Sequence, residues 1–201
     1  MRIKSLMIPN PITITENATI EQAIDIMKVN SIRHLPVVSS EKTLKGFVTL
    51  ADLKLGLIPS MLGSVTLPDL MIKNPITVRP DDDIEIGAQL IYKHKISGIP
   101  VVKNDKLVGI ITETDILRAF IDMMGILTAS SRIDVVIKDE PDSFKKALQI
   151  IHDNGGDIIN IGMTAQQSRK RTYYFRLSAC KTDILKKALE NNGFEVLDAM
   201  D

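Results

Sequence analysis

Apolar residues fall at helical spacing in two stretches of the chain. The first holds Ile20, Ala23, Ile24 and Met27, the second Ile84, Ala88 and Ile91. Each stretch is preceded by a short extended piece, Pro-Ile-Thr-Ile from residue 11 and Pro-Ile-Thr-Val from residue 75. Each is followed by an apolar run, Leu35-Pro36-Val37-Val38 and Ile99-Pro100-Val101-Val102. A short polar turn then leads to a second apolar run, ending at Thr49 or Thr112 before another helical segment. The pattern predicts β-α-β-β-α twice, in a mixed α+β fold. Asn17 and Thr19 are candidate caps for the first helix, and Asp81, Asp82 and Asp83 supply acidic residues to the start of the second. Pro36 and Pro100 lack a backbone donor, so each belongs at a strand start or edge.

The two stretches are copies. At an offset of 64, residues 6–38 match residues 70–102 at 13 of 33 positions, including Leu-Met-Ile, Asn-Pro-Ile-Thr and Pro-Val-Val. At an offset of 63 the match resumes, Gly46-Phe47-Val48-Thr49-Leu50-Ala51-Asp52 against Gly109-Ile110-Ile111-Thr112-Glu113-Thr114-Asp115. After Ser130-Ser131 the pattern changes. Strand, helix, strand, strand, helix and strand follow, with Pro141 near one helix start and Gly155-Gly156 and Gly193 as helix stops. That is a ferredoxin-like βαββαβ unit. The boundaries expected are 1–64 and 65–128 for the copies and 129–201 for the last unit.

Thr49-x-x-Asp52 and Thr112-x-x-Asp115 admit two readings. As capping boxes they stabilise a helix start by about 1 kcal/mol and need no ligand. As a site, the turn places a Thr hydroxyl beside free amides, where it can bond phosphate, and an Asp where it can accept ribose hydroxyls.

Both copies, with their apolar-Pro-Val-Val strand and Gly-x-x-Thr-x-x-Asp turn, resemble the cystathionine-β-synthase (CBS) domain, and the tandem resembles a Bateman module. The resemblance implies clefts between the copies that take adenosine-containing ligands: AMP, ADP or ATP, and less readily S-adenosylmethionine or NAD. It implies a site made of Ile12, Thr13, Arg33, His34, Leu35, Pro36, Thr49 and Asp52 from the first copy. The second copy contributes Ile76, Thr77, Ser97, Gly98, Ile99, Pro100, Thr112 and Asp115. The apolar residues before each Pro-Val-Val would flank a base. Arg33 and His34 stand where the second copy has Ser97 and Gly98, so phosphates are expected at the first pair and close approach to a base at the second. Arg118 is a further phosphate candidate. The C-terminal order and its Asp-x-Pro turn resemble the ACT domain, a regulatory unit that often binds amino acids at a dimer interface. The family's Gly after the Pro is Asp142 here, which disfavours an amino-acid carboxylate. The combination resembles regulatory proteins of the acetoin-utilisation (AcuB) type, without implying action on acetoin.

Composition narrows the function classes. Lys plus Arg and Asp plus Glu are 25 each, so no basic footprint for nucleic acid exists. Cys180 is the single cysteine, which excludes an intramolecular disulfide or multi-cysteine metal site and suggests a reducing, cytoplasmic setting. No apolar run is long enough to span a membrane. Three histidines at scattered positions, with no nucleophile elbow or Walker loop, give no catalytic constellation. Apolar residues follow both repeats, Leu55, Leu57, Ile58, Met61 and Leu62, then Ile116, Leu117, Phe120, Ile121, Met123, Met124, Ile126 and Leu127. They are expected to form core and a homodimer face. The expectation is a homodimeric, non-enzymatic nucleotide sensor acting on its last unit or on a partner enzyme. The alternative is a non-sensing scaffold whose Thr-x-x-Asp turns are caps only.

Overall fold

The structure is a computed structural model that describes residues 1–55, 65–164 and 170–201. Leu57, Ile58, Met61 and Leu62 lie outside the described residues. The chain divides into two compact units, Met1–Leu117 and Arg118–Asp201.

In the first unit a short 3-10 turn (Ile3–Ser5) leads to β1 (Ile8–Pro9), α1 (Ile20–Val29), β2 (His34–Val38), β3 (Leu44–Thr49) and α2 (Leu50–Leu55). The second copy runs α3 (Leu67–Leu70), β4 (Ile72–Lys73), α4 (Ile84–His94), β5 (Gly98–Lys103), β6 (Lys106–Thr112) and the start of α5 (Glu113–Met123). The helix face read from spacing is the buried one: Ile20, Ala23, Ile24 and Met27 all sit in a core with Leu35, Val37, Val48 and Leu53. Thr19 caps α1 with a reciprocal box, its oxygen accepting from the Gln22 amide while Gln22 Oε1 accepts from the Thr19 amide. β2 and β5 are the outer strands of their sheets, the place where a proline's missing donor is tolerated.

The pairing has one property that the order of elements along the chain does not reveal. The sheets are β2-β3-β4 and β1-β6-β5. β1 pairs with β6, and β4 pairs with β3, so each copy lends its leading strand to the other. Gly109 and Gly46 permit this. A Cβ at Gly109 would lie 2.6 Å from Met7 Sδ and 3.1 Å from the Ile8 carbonyl oxygen. At Gly46 it would lie 2.5 Å from Met71 Sδ and 3.2 Å from the Ile72 carbonyl oxygen. The copies agree in backbone detail as well. Asn10 and Asn74, and Ser31 and Lys95, take left-handed conformations at equivalent positions. Both β-hairpins carry a register shift at the second Val of Pro-Val-Val.

The second unit holds β7 (Ser130–Lys138), α6 (Ser143–Asp153), β8 (Ile158–Met163), β9 (Lys170–Ser178), α7 (Thr182–Asn191) and β10 (Glu195–Met200). The antiparallel sheet runs β10-β7-β9-β8, the strand order of a ferredoxin-like unit. Its core joins Ile133, Val135 and Ile137 to Ala147, Ile151, Phe175, Leu177, Leu185 and Leu189. Asp142, at the start of α6, holds a left-handed φ of 61°, a conformation that glycine adopts without strain. Leu117, Phe120, Met123, Met124, Ile126 and Leu127 are exposed, whereas Ile116 is buried.

Candidate functional site

The strand exchange creates two pseudo-equivalent clefts within the first unit. Cleft one, about 220 Å³, is lined by Ile8, Pro11, Ile12, Ser31, Ile32, Arg33, His34, Ile110 and Thr112. Cleft two, about 360 Å³, is lined by Phe47, Thr49, Asp52, Ile72, Asn74, Pro75, Ile76, Lys95, Ile96, Ser97 and Gly98. Each cleft thus combines the entry segment and pre-strand residues of one copy with the Thr-x-x-Asp turn strand of the other.

The two readings of that turn turn out to be compatible. Asp52 Oδ2 accepts from the Thr49 amide at 2.9 Å and from its hydroxyl at 2.7 Å. The Asp52 amide donates to Thr49 Oγ1 at 3.3 Å. Thr112 and Asp115 repeat the arrangement at 2.8, 2.6 and 3.3 Å. Capping therefore uses one carboxylate oxygen. The other, Oδ1, makes no hydrogen bond among the described residues in either copy and can accept from a ligand hydroxyl. The Thr hydroxyl proton is already donated to the carboxylate, so the expected donation from Thr to phosphate is not available. Thr66 and Asp69 form the same box at the start of α3, where neither residue lines a cleft. The motif alone is a cap; its place beside a cleft makes it a site.

Several expected site residues lie elsewhere. Leu35 and Ile99 are fully buried in the core and line neither cleft. Strand alternation explains this: each shares its strand face with a core Val two residues on. Pro36 and Pro100 are buried in the outer strands, and Thr13, Thr77 and Asp115 line neither cleft, Asp115 being hydrogen-bonded to the lining residue Thr112. Arg118 is exposed and lies 3.9 Å from Asp122, one turn along its own helix. Ile12, Ile76, Arg33, His34, Ser97, Gly98, Thr49, Asp52 and Thr112 do line the clefts. Phe47, Asn74 and Lys95 were missed. Phe47 differs from its equivalent Ile110, and Lys95 from Ser31, so comparing the copies position by position would have found both.

His34 departs most from expectation. It is only 8% exposed and is no solvated cation. Its Nε2 lies 2.6 Å from Ser97 Oγ, and its ring stacks on Phe47, centroids 5.8 Å apart. The space above Gly98 is taken by the imidazole, whose Cδ2 is 3.0 Å from where a Cβ would stand. Gly98 therefore accommodates His34 rather than the close approach of a base. Burial pushes the His34 pKa below the ordinary imidazole value, and the charge of Arg33 adds to that; Glu113 and Asp52 act in the opposite sense. The unfolded chain then binds a proton at a pH where the folded chain does not. Stability should fall as pH drops through the ordinary imidazole range, and the loss should level off below the folded-state value. Melting temperatures measured from pH 7.5 to 5 should show this decline in the wild type and a shallower one in His34→Gln. Equal slopes would contradict the assignment.

Arg33 stands at the mouth of cleft one, 3.9 Å from Glu113, with both side chains largely exposed. Such a pair contributes little to stability, so Arg33 can exchange its partner for a ligand phosphate. In cleft two the cation is Lys95, over the Tyr92 ring at 4.6 Å. Among the described residues no group of three or more His, Cys, Asp or Glu could hold a metal, and no helix is long and apolar enough to cross a membrane.

Two β-α-β-β-α copies that exchange leading strands around paired clefts define a tandem-repeat module. The CBS domain family model matches residues 3–57 and 67–122, so the chain belongs to the CBS domain family. The CBS domain pair of protein MJ0100, in complex with 5′-methylthioadenosine and S-adenosyl-L-methionine, is 33% identical with a TM-score of 0.56. It covers 60% of this chain and 95% of its own. A Vibrio cholerae protein described as an acetoin utilization protein (AcuB) is 31% identical with a TM-score of 0.56, covering 63% and 94%. CBSX2 in complex with AMP is 27% identical with a TM-score of 0.54, covering 60% and 96%. A homoserine O-acetyltransferase of Methanohalobium evestigatum is 37% identical over 117 residues, 58% of this chain. The chain spans only 23% of that relative's length.

Proposed function

We propose that the chain is a regulatory sensor that binds an adenosine-containing nucleotide in the clefts between its CBS repeats. One observation carries this reading. Cleft two gathers an apolar and aromatic lining (Phe47, Ile72, Pro75 and Ile76), a carboxylate with an uncommitted oxygen (Asp52) and an ammonium (Lys95). These suit a base, a ribose and a phosphate respectively. In cleft one, Ile8, Pro11, Ile12 and Ile110 offer the apolar wall and Arg33 the cation, and Thr112, a lining residue, donates its hydroxyl to the Asp115 carboxylate. The ligands bound by MJ0100 and CBSX2 support an adenosyl group. AMP, ADP or ATP fits the two cations better than S-adenosylmethionine or NAD.

The signal passes to the C-terminal unit or to a partner enzyme, and the protein regulates rather than turns over substrate. The ferredoxin-like strand order and the left-handed Asp142 support an ACT-like unit of the AcuB type. The exposed Leu117, Phe120, Met123 and Leu127 support a homodimer. A scaffold with unoccupied clefts is the second reading, and the cap-only Thr66–Asp69 box favours it. A thermal-shift panel of AMP, ADP, ATP, S-adenosylmethionine and NAD separates the two. A ligand at about 100 times its Kd stabilises by roughly 2.7 kcal/mol, several degrees for a domain of this size. No shift with any of them at millimolar concentration would favour the scaffold.

A further inference from the structure

We infer that His34 is the common wall of the two clefts and couples their occupancy, so that ligand in one weakens binding in the other. The inference rests on reading both clefts as ligand sites, and concerns their regulation. His34 lines cleft one with Arg33, Ile12 and Ile110. Three neighbours lie on its other side: Ser97 hydrogen-bonds its Nε2, Phe47 stacks on its ring, and Gly98 lies against its Cδ2. All three line cleft two. A single imidazole therefore has one cleft at its back and the lining of the other at its front.

The arrangement is one-sided. The equivalent of His34 in the second copy is Gly98, and the equivalent of Phe47 is Ile110. No reciprocal side chain reaches from cleft two toward cleft one at this position, and the space a side chain on residue 98 would need is filled by the imidazole. A base entering cleft two meets Phe47, the surface on which the ring stacks. Pressure on Phe47 moves the ring toward cleft one, the smaller of the pair. A ligand in cleft one meets the ring directly and presses it the other way. The ring touches Ser97 and the Gly98 position at 2.6–3.2 Å, so it follows a shift of that wall and gives way only into the adjoining cleft. Coupling by differential affinity is reciprocal, and its usual size is about fivefold or more.

Calorimetric titration of AMP into the full chain tests this, with Asp52→Ala and Asp115→Ala each disabling one cleft. The expected result is that a cleft binds AMP about fivefold or more weakly in the wild type, where its neighbour is filled, than in the variant whose neighbour is disabled. In the same comparison made on a His34→Ala background, the two affinities should agree. His34→Asn, which retains a hydrogen-bonding group toward Ser97 but has no ring to stack on Phe47, should reduce the difference and guards against a His34→Ala protein that fails to fold. Wild-type affinities equal to those of the single-cleft variants would overturn the coupling while leaving the ligand sites intact. So would a difference that persists unchanged without His34. Absence of saturable AMP binding in the wild type would overturn the sensor reading, and the coupling with it.

Discussion

Asp52→Asn should lower the affinity of cleft two for AMP by roughly 10- to 100-fold while leaving the melting temperature nearly unchanged. The reason is the division of labour within one carboxylate. Oδ2 holds the start of α2 through the Thr49 amide and hydroxyl, while Oδ1 is uncommitted beside the cleft. An Asn keeps an oxygen for the cap but loses the charge that strengthens a bond to a ribose hydroxyl, worth about 1.5–3 kcal/mol. Asp52→Ala should lose the same binding and, in addition, about 1 kcal/mol of stability from the missing cap. Asp69→Ala is the matched control. It removes the same kind of box from α3, whose Thr66 and Asp69 line neither of the two clefts, and should lower stability without changing AMP affinity. Titration and melting of the three variants together separate the cap from the site. Equal AMP affinity in wild type and Asp52→Asn would remove Asp52 from the site.

The second large effect concerns the exchange of strands. Gly109→Val should destabilise the first unit by about 2–3 kcal/mol, a drop of several degrees in melting temperature. The Cβ would stand 2.6 Å from Met7 Sδ and 3.1 Å from the Ile8 carbonyl oxygen. A thioether can swing away, but a carbonyl engaged in a strand pair cannot. Gly109→Ala should have a smaller effect, and combining it with Met7→Ala should recover part of the loss. If Gly109→Val melted with the wild type, the pairing of β1 with β6 would be in doubt.

Much of this architecture was legible before any coordinates. The repeat, the two helical faces, the edge position of Pro36 and Pro100, and the Thr-x-x-Asp turns all follow from local spacing. The strand exchange does not, because β1 and β4 are two residues each and their partners lie far along the chain. Pairing of such short strands is decided by tertiary packing at Gly46 and Gly109. The site was legible in its type and less so in its members. Leu35 and Ile99 precede a proline in the family's motif yet face the core, since alternation along a strand assigns them the same side as Val37 and Val101. His34 is expected from the sequence to stand beside a phosphate and is buried in the fold, because Gly98, 64 residues away, makes room for its ring. Phe47 and Lys95 are visible only where the two copies differ, one on the apolar wall of cleft two and one as its cation.

The most direct test is calorimetric titration of AMP into the full chain at neutral pH. The account predicts saturable binding that Asp52→Asn and Asp115→Asn, combined, weaken by roughly 10-fold or more. Absence of binding at millimolar AMP, or binding that the double variant leaves intact, would contradict it.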